Sequence, residues 1–190
     1  MNLSNKLTIS RILLTFVFLY FLSAPWAGAR YYAFFTFLIA SLTDYFDGYF
    51  AKKEGKVTDF GKLMDPIADK ILILAAFVAF AQQGLIYTWM VVVIIAREVT
   101  VTGLRLFALG KGKVIEAEEA GKHKTVSQMI AIFMILIFLM FKEAGKSLSF
   151  WNRDTECWVR GLILIVMYVT VILTLTSGTS FFIKNRKLFT

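Results

Sequence analysis

Four aspartates stand where carboxylates are costly to place. Asp44 and Asp47 lie near the end of one apolar run, three residues apart, and Asp65 and Asp69 open the next, four apart. At helical spacing each pair shares a face, so two antiparallel helices would turn four carboxylates toward one another. A carboxylate in or near hydrocarbon is expensive unless it is paired or bound to a cation. Four facing one another repel unless metal neutralises them. Ligands that are all oxygen select a hard divalent ion, Mg2+ or Mn2+, and two such ions form the clamp used for in-line displacement at phosphorus. Gly48 and Gly61 remove side chains beside these carboxylates, where a ligand or the facing backbone must come close. Small-residue helix packing accounts for either glycine taken alone.

The elements that must position these groups are membrane helices. Of 190 residues 58% are hydrophobic and 18% charged, more apolar than a soluble domain of average composition. Apolar runs centre on 12–21, 32–42, 71–81, 88–96, 129–141 and 161–175. Extended to their flanks they read as six transmembrane helices, which at about 20 residues each would use about 120 positions. The expected fold is therefore all-α and polytopic, with residues 1–190 forming one integral membrane domain. The first run is expected to remain as a helix, because no small-residue cleavage site follows it. The single cysteine, Cys157, excludes a disulfide framework within the chain.

Net charge is +8. In so apolar a chain this points to anionic headgroups and phosphate-bearing substrates and away from nucleic acid. With the amino terminus inside, fourteen lysines and arginines fall on the inner side and five on the outer. That bias predicts both termini, and the loops around 52–62 and 105–124, on the cytoplasmic side. The tail at 181–187 mixes aromatic and basic residues and is expected to lie on the inner membrane surface.

The stretch DYFDGYFAK at 44–52, eight further residues, and GKLMDPIAD at 61–69 resemble the signature of the CDP-alcohol phosphatidyltransferase family, D-x2-D-G-x2-A-R-x8-G-x3-D-x3-D, at seven of eight fixed positions. The departure is Lys52, where the family usually carries Arg; Lys keeps the charge and loses the planar fork. The resemblance implies a six-helix membrane enzyme, usually a homodimer, whose site opens to the cytoplasmic leaflet and cleaves a CDP-linked lipid. It implies that Asp44, Asp47, Asp65 and Asp69 bind the metal pair, with Asp69 also the general base. It implies too that Gly48, Ala51, Lys52 and Gly61 line the nucleotide and diphosphate pocket.

The acceptor must be held elsewhere. On the fourth run, AREVTVTGLR at 96–105 sets Arg97 and Arg105 eight apart, about two helical turns. GKHKT follows at 121–125 and carries Lys122 and Lys124. Four cations near a metal site suit a second, anionic phosphate. Ordinary juxtamembrane charge, or an ion pair between Arg97 and Glu98, is the other reading. Together with NKLTISR at 5–11, these segments are similar to the bacterial phosphatidylglycerophosphate synthase branch of the family, whose acceptor is sn-glycerol 3-phosphate and whose lipid substrate is CDP-diacylglycerol. That similarity implies a bacterial inner membrane setting. Another acceptor (phosphatidylglycerol, serine or inositol phosphate) is the alternative within the class, and a divalent cation transporter is the alternative outside it.

Overall fold

The computed structural model describes the backbone of residues 3–54, 59–111, 119–145 and 151–186, and the side chains of 9–43, 67–68, 70–111, 121–145 and 151–186. Among the described residues the chain forms six α-helices and no strand: α1 (Leu3–Ser23), α2 (Ala29–Glu54), α3 (Asp59–Gln82), α4 (Thr88–Gly110), α5 (Glu119–Ala144) and α6 (Arg153–Lys184). Each of the six apolar runs falls inside one of them. Two are long and apolar enough to cross a membrane by length and composition, Gly121–Ala144 and Arg153–Lys184.

Helix ends are set by local chemistry. Gly84 has φ +68°, the left-handed conformation that glycine adopts without a Cβ penalty. Its N–H donates to the Ala81 carbonyl at 3.0 Å while Leu85 N–H donates to Phe80 at 3.0 Å, the paired bonds of a Schellman stop for α3. Asn152 opens α6, its side chain accepting from Thr155 N–H at 2.9 Å, with Asp154 and Glu156 in the first turn where the helix dipole favours them.

Two boundaries differ from the sequence reading. The residues read as a loop up to 124 already belong to α5 from Glu119. The residues read as a surface tail begin as the last turn of α6, with Phe181 buried. Hydropathy marks hydrocarbon, whereas a helix continues until a cap or breaker stops it. At about 1.5 Å per residue the 32 residues of α6 span about 48 Å, well past a hydrocarbon core of about 30 Å.

The helices close a ring in the order α1, α2, α5, α6, α4, α3, with α3 also touching α2 and α5. Its interior is aromatic. Phe18, Phe37, Phe77 and Phe80 are fully buried, and Phe37 lies 5.4 Å from both Phe18 and Phe133 by ring centroids, a spacing at which rings attract beyond simple burial. The outside is apolar too: Phe16, Phe35, Val92, Val99, Ile165 and Ile172 are all exposed. An apolar jacket over a packed interior suits lipid as the surrounding solvent.

One end of the bundle is tied by a carboxylate. Glu143, on the last turn of α5, accepts from the backbone N–H groups of Gly28 and of Arg30, the latter at 3.2 Å. Arg30 in turn donates to the carbonyls of Leu22 and Phe21 at the end of α1, and Gln83 donates to Leu22 O at 3.1 Å. Glu143→Ala removes the acceptor for two orphan donors at the start of α2, an expected loss of about 1–2 kcal/mol. It should appear as a lower thermal midpoint in detergent, with the specific activity of the folded fraction intact.

Candidate active site

Antiparallel alternation brings the end of α2, the start of α3, the end of α4, the start of α5 and the end of α6 to the opposite end of the bundle. The four aspartates belong here. Asp44 and Asp47 are on α2, and Asp65 and Asp69 on α3, two helices that pack on each other. Their side chains, and those of Gly48, Ala51, Lys52 and Gly61, lie outside the described residues. The donor set itself fits hard divalent ions: four carboxylates supplied by two neighbouring helices, all oxygen, of the kind that holds Mg2+ or Mn2+.

Beside them the structure builds a buried ionic cluster around Glu98 of α4, whose side chain is 3% exposed. Its Oε2 accepts from Lys70 Nζ of α3 at 2.7 Å. Its Oε1 accepts from Lys124 Nζ of α5, from Gln128 Nε2 at 3.4 Å and from Arg97 Nη1 at 3.4 Å. Arg97 reaches further, donating from Nη2 to Ser177 Oγ of α6 at 2.8 Å. One carboxylate therefore ties together α3, α4 and α5, and Arg97 extends the tie to α6.

Arg97 needs room on α6 to take this path. A Cβ placed on Gly178 would come 3.2 Å from Arg97 Cγ, so glycine leaves the floor on which the arginine stem lies. Thr170, Thr174, Ser177 and Gly178 all lie buried along α6. Ser177 accepts from Arg97, while Thr170 and Thr174 donate to the carbonyls of Ser127 and Thr170, as expected for polar groups that must find partners inside a helix bundle.

Of the four cations read from the sequence as an acceptor pocket, Arg97 and Lys124 come together. Lys122 is exposed and does not join them. With α5 starting at Glu119, two residues turn the helix by about 200°, so Lys122 and Lys124 point to nearly opposite sides. Arg105 lies two turns along α4 from Arg97; its Nε is buried and has no hydrogen-bond partner among the described residues. The ion pair between Arg97 and Glu98 is present, as one arm of a larger cluster.

Lys70 is the member absent from the four cations read from the sequence. Its signal was available: an ammonium in an apolar run must find an anion, and Glu98 stands on the next helix. Glu98 itself was read only as a partner of Arg97, whereas it is the shared acceptor of the cluster.

The sequence matches the family model described as CDP-alcohol phosphatidyltransferase over residues 1–176. It is 39% identical to a Bacillus subtilis (strain 168) protein named CDP-diacylglycerol–glycerol-3-phosphate 3-phosphatidyltransferase, across 97% of this chain and 95% of that protein. A Rickettsia bellii (strain RML369-C) protein of the same name is 32% identical across 99% of this chain and 97% of its own length. With the aspartate signature on α2 and α3 and similarity along nearly its whole length, the chain belongs to the CDP-alcohol phosphatidyltransferase family.

Proposed function

We propose that the protein transfers the phosphatidyl group of CDP-diacylglycerol to sn-glycerol 3-phosphate, giving phosphatidylglycerol phosphate and CMP. The observation that carries this reading is the near full-length similarity to relatives named for that reaction. The cluster of Lys70, Arg97 and Lys124 around a single carboxylate supports it, because it leaves more positive than negative charge beside the aspartates. A phosphate on the acceptor is the group that this charge suits.

In the proposed reaction Asp69 takes the proton from the C1 hydroxyl of glycerol 3-phosphate. The hydroxyl oxygen attacks the lipid-side phosphorus and forms the new phosphoester bond. The bond from that phosphorus to the bridging oxygen breaks, and CMP leaves with the electron pair. Asp44, Asp47, Asp65 and Asp69 would hold two Mg2+ or Mn2+ ions, which when bound neutralise charge on the diphosphate. Gly48, Ala51, Lys52 and Gly61 line the nucleotide side. Arg97 and Lys124 hold the acceptor phosphate, with Arg105 two turns along α4 from Arg97. Positioning and charge neutralisation then supply most of the acceleration, as in phosphoryl transfer generally.

The setting proposed for this chemistry is the bacterial cytoplasmic membrane. Residues 1–190 form one multi-pass domain of six spans, with the site and both termini on the cytoplasmic side and a second copy completing a homodimer. The apolar exterior and the positive charge gathered at the aspartate end support this placement.

The test is product formation by purified protein in detergent micelles holding CDP-diacylglycerol, Mg2+ or Mn2+, and labelled glycerol 3-phosphate, with serine and inositol phosphate in parallel. Metal-dependent release of CMP with phosphatidylglycerol phosphate as product is the expected result. Glycerol should be a poorer acceptor than glycerol 3-phosphate by roughly 100-fold in kcat/KM, the worth of a charge-assisted contact to the missing phosphate. CMP formed only with another acceptor would overturn the acceptor assignment.

A further inference from the structure

We propose that Glu98 is a positioning residue for the acceptor: its carboxylate gathers Lys70 of α3, Arg97 of α4 and Lys124 of α5 into one preformed anion-binding group, and Lys70 is thereby a third acceptor-phosphate ligand. The inference rests on the acceptor reading above and adds to it a residue and a role.

The geometry carries the argument. Three cations that would repel one another are held at a single carboxylate, Lys70 on Oε2 and Lys124 and Arg97 on Oε1. Lys124 and Glu98 are each 3% exposed at the side chain, Arg97 11%, and Lys70 31%. An ammonium has three donors. Among the described residues Lys70 and Lys124 each spend one, on Glu98. Two N–H groups on each remain to meet an anion. Lys70 is the most open of the four and directly follows Asp69 on α3, so along the chain the group adjoins the position of the proposed base.

The other contacts fix direction. Gln128 supplies a neutral donor to Glu98 Oε1 from α5, and Ser177 takes one arm of Arg97 while Gly178 gives its stem a flat floor. Without the Glu98 charge, the cations would move apart until an arriving phosphate regathered them. That cost falls on acceptor binding, because a preorganised site avoids paying it at the moment of binding.

The experiment is steady-state kinetics of the full-length protein in mixed micelles for wild type, Glu98→Gln, Glu98→Asp and Gly178→Ala. It is paired with the thermal shift that glycerol 3-phosphate produces on each. Glu98→Gln keeps shape and removes charge; KM for glycerol 3-phosphate is expected to rise roughly tenfold or more, with kcat within about threefold and KM for CDP-diacylglycerol within about twofold. Glu98→Asp, which restores the charge, should recover most of that rise. Gly178→Ala pushes on Arg97 without touching Glu98 and should raise the same KM several-fold, which keeps the proposal testable if Glu98→Gln fails to fold. The glycerol 3-phosphate thermal shift should be present in wild type and reduced in Glu98→Gln and Gly178→Ala. A purely structural Glu98 would lower thermal stability and leave KM unchanged in the folded fraction, and that result overturns the proposal, as does a parallel rise in both KM values. Wild-type turnover with glycerol 3-phosphate is the arm on which the reaction itself stands or falls; unchanged acceptor KM in variants of an active enzyme overturns the positioning role alone.

Discussion

Asp69→Asn is expected to reduce turnover by roughly 1,000-fold or more, because one substitution removes two proposed roles. General-base catalysis contributes about 100- to 10,000-fold, and the amide has no basicity to supply it. The same change lowers the charge of the metal-holding set from four carboxylates to three. The amide oxygen can still coordinate, so the variant should fold and keep its helical content. CMP release at saturating CDP-diacylglycerol and glycerol 3-phosphate is the measurement, with circular dichroism of the same sample as control. Asp69→Glu restores charge and basicity but moves the carboxylate by one methylene, so it should recover part of the loss. A variant of Asp69→Asn that keeps more than about a tenth of the wild-type rate overturns the assignment of the base.

The reason the four aspartates could be grouped from sequence, and the partner of Lys70 could not, lies in what spacing encodes; the choice of Asp69 among the four comes from the family resemblance alone. A carboxylate pair three or four apart declares its common face within one helix, and an intramembrane charge declares a cost that something must offset. The four aspartates carry both signals. The partner of a lone charge is set by which helices touch, and that is tertiary information. Lys70 meets Glu98 because α3 packs on α4, and Lys124 reaches the same carboxylate from α5, which packs on α3.

A similar divide runs through the fold. Six helices follow from six apolar runs, since a long apolar run without a breaker satisfies its backbone hydrogen bonds within itself as a helix. Which face of each is buried does not follow, because Phe16 and Phe18 are both apolar and only one of them is inside. Periodicity has no contrast to report when lipid and core both accept phenylalanine. The start of α5 was equally hidden. Had residues 119–124 been read as helix, the parity of Lys122 and Lys124 would have separated the exposed ammonium from the buried one before any packing was known.

Removing divalent metal should stop turnover by roughly 1,000-fold or more and also destabilise the protein, and the two effects can be separated. Four carboxylates on two adjacent helices repel when nothing neutralises them, and an ion bound only by the folded state stabilises it by about 2.7 kcal/mol at a concentration 100 times its Kd. At about 2–4 °C per kcal/mol for a chain of this size, chelation should lower the thermal midpoint by about 5–10 °C. Among the described residues the cluster around Glu98 joins α3, α4, α5 and α6 by direct contacts between side chains other than the proposed metal ligands, so the bundle should hold and the loss should reverse on adding Mg2+ or Mn2+. Ca2+ discriminates between the roles. It accepts the same oxygens at longer distances and with more ligands, so it should restore most of the midpoint and little of the rate. Rate and midpoint returning together with Ca2+ would mean that the aspartates need only charge neutralisation, and would overturn a reaction that depends on small-ion geometry at the diphosphate.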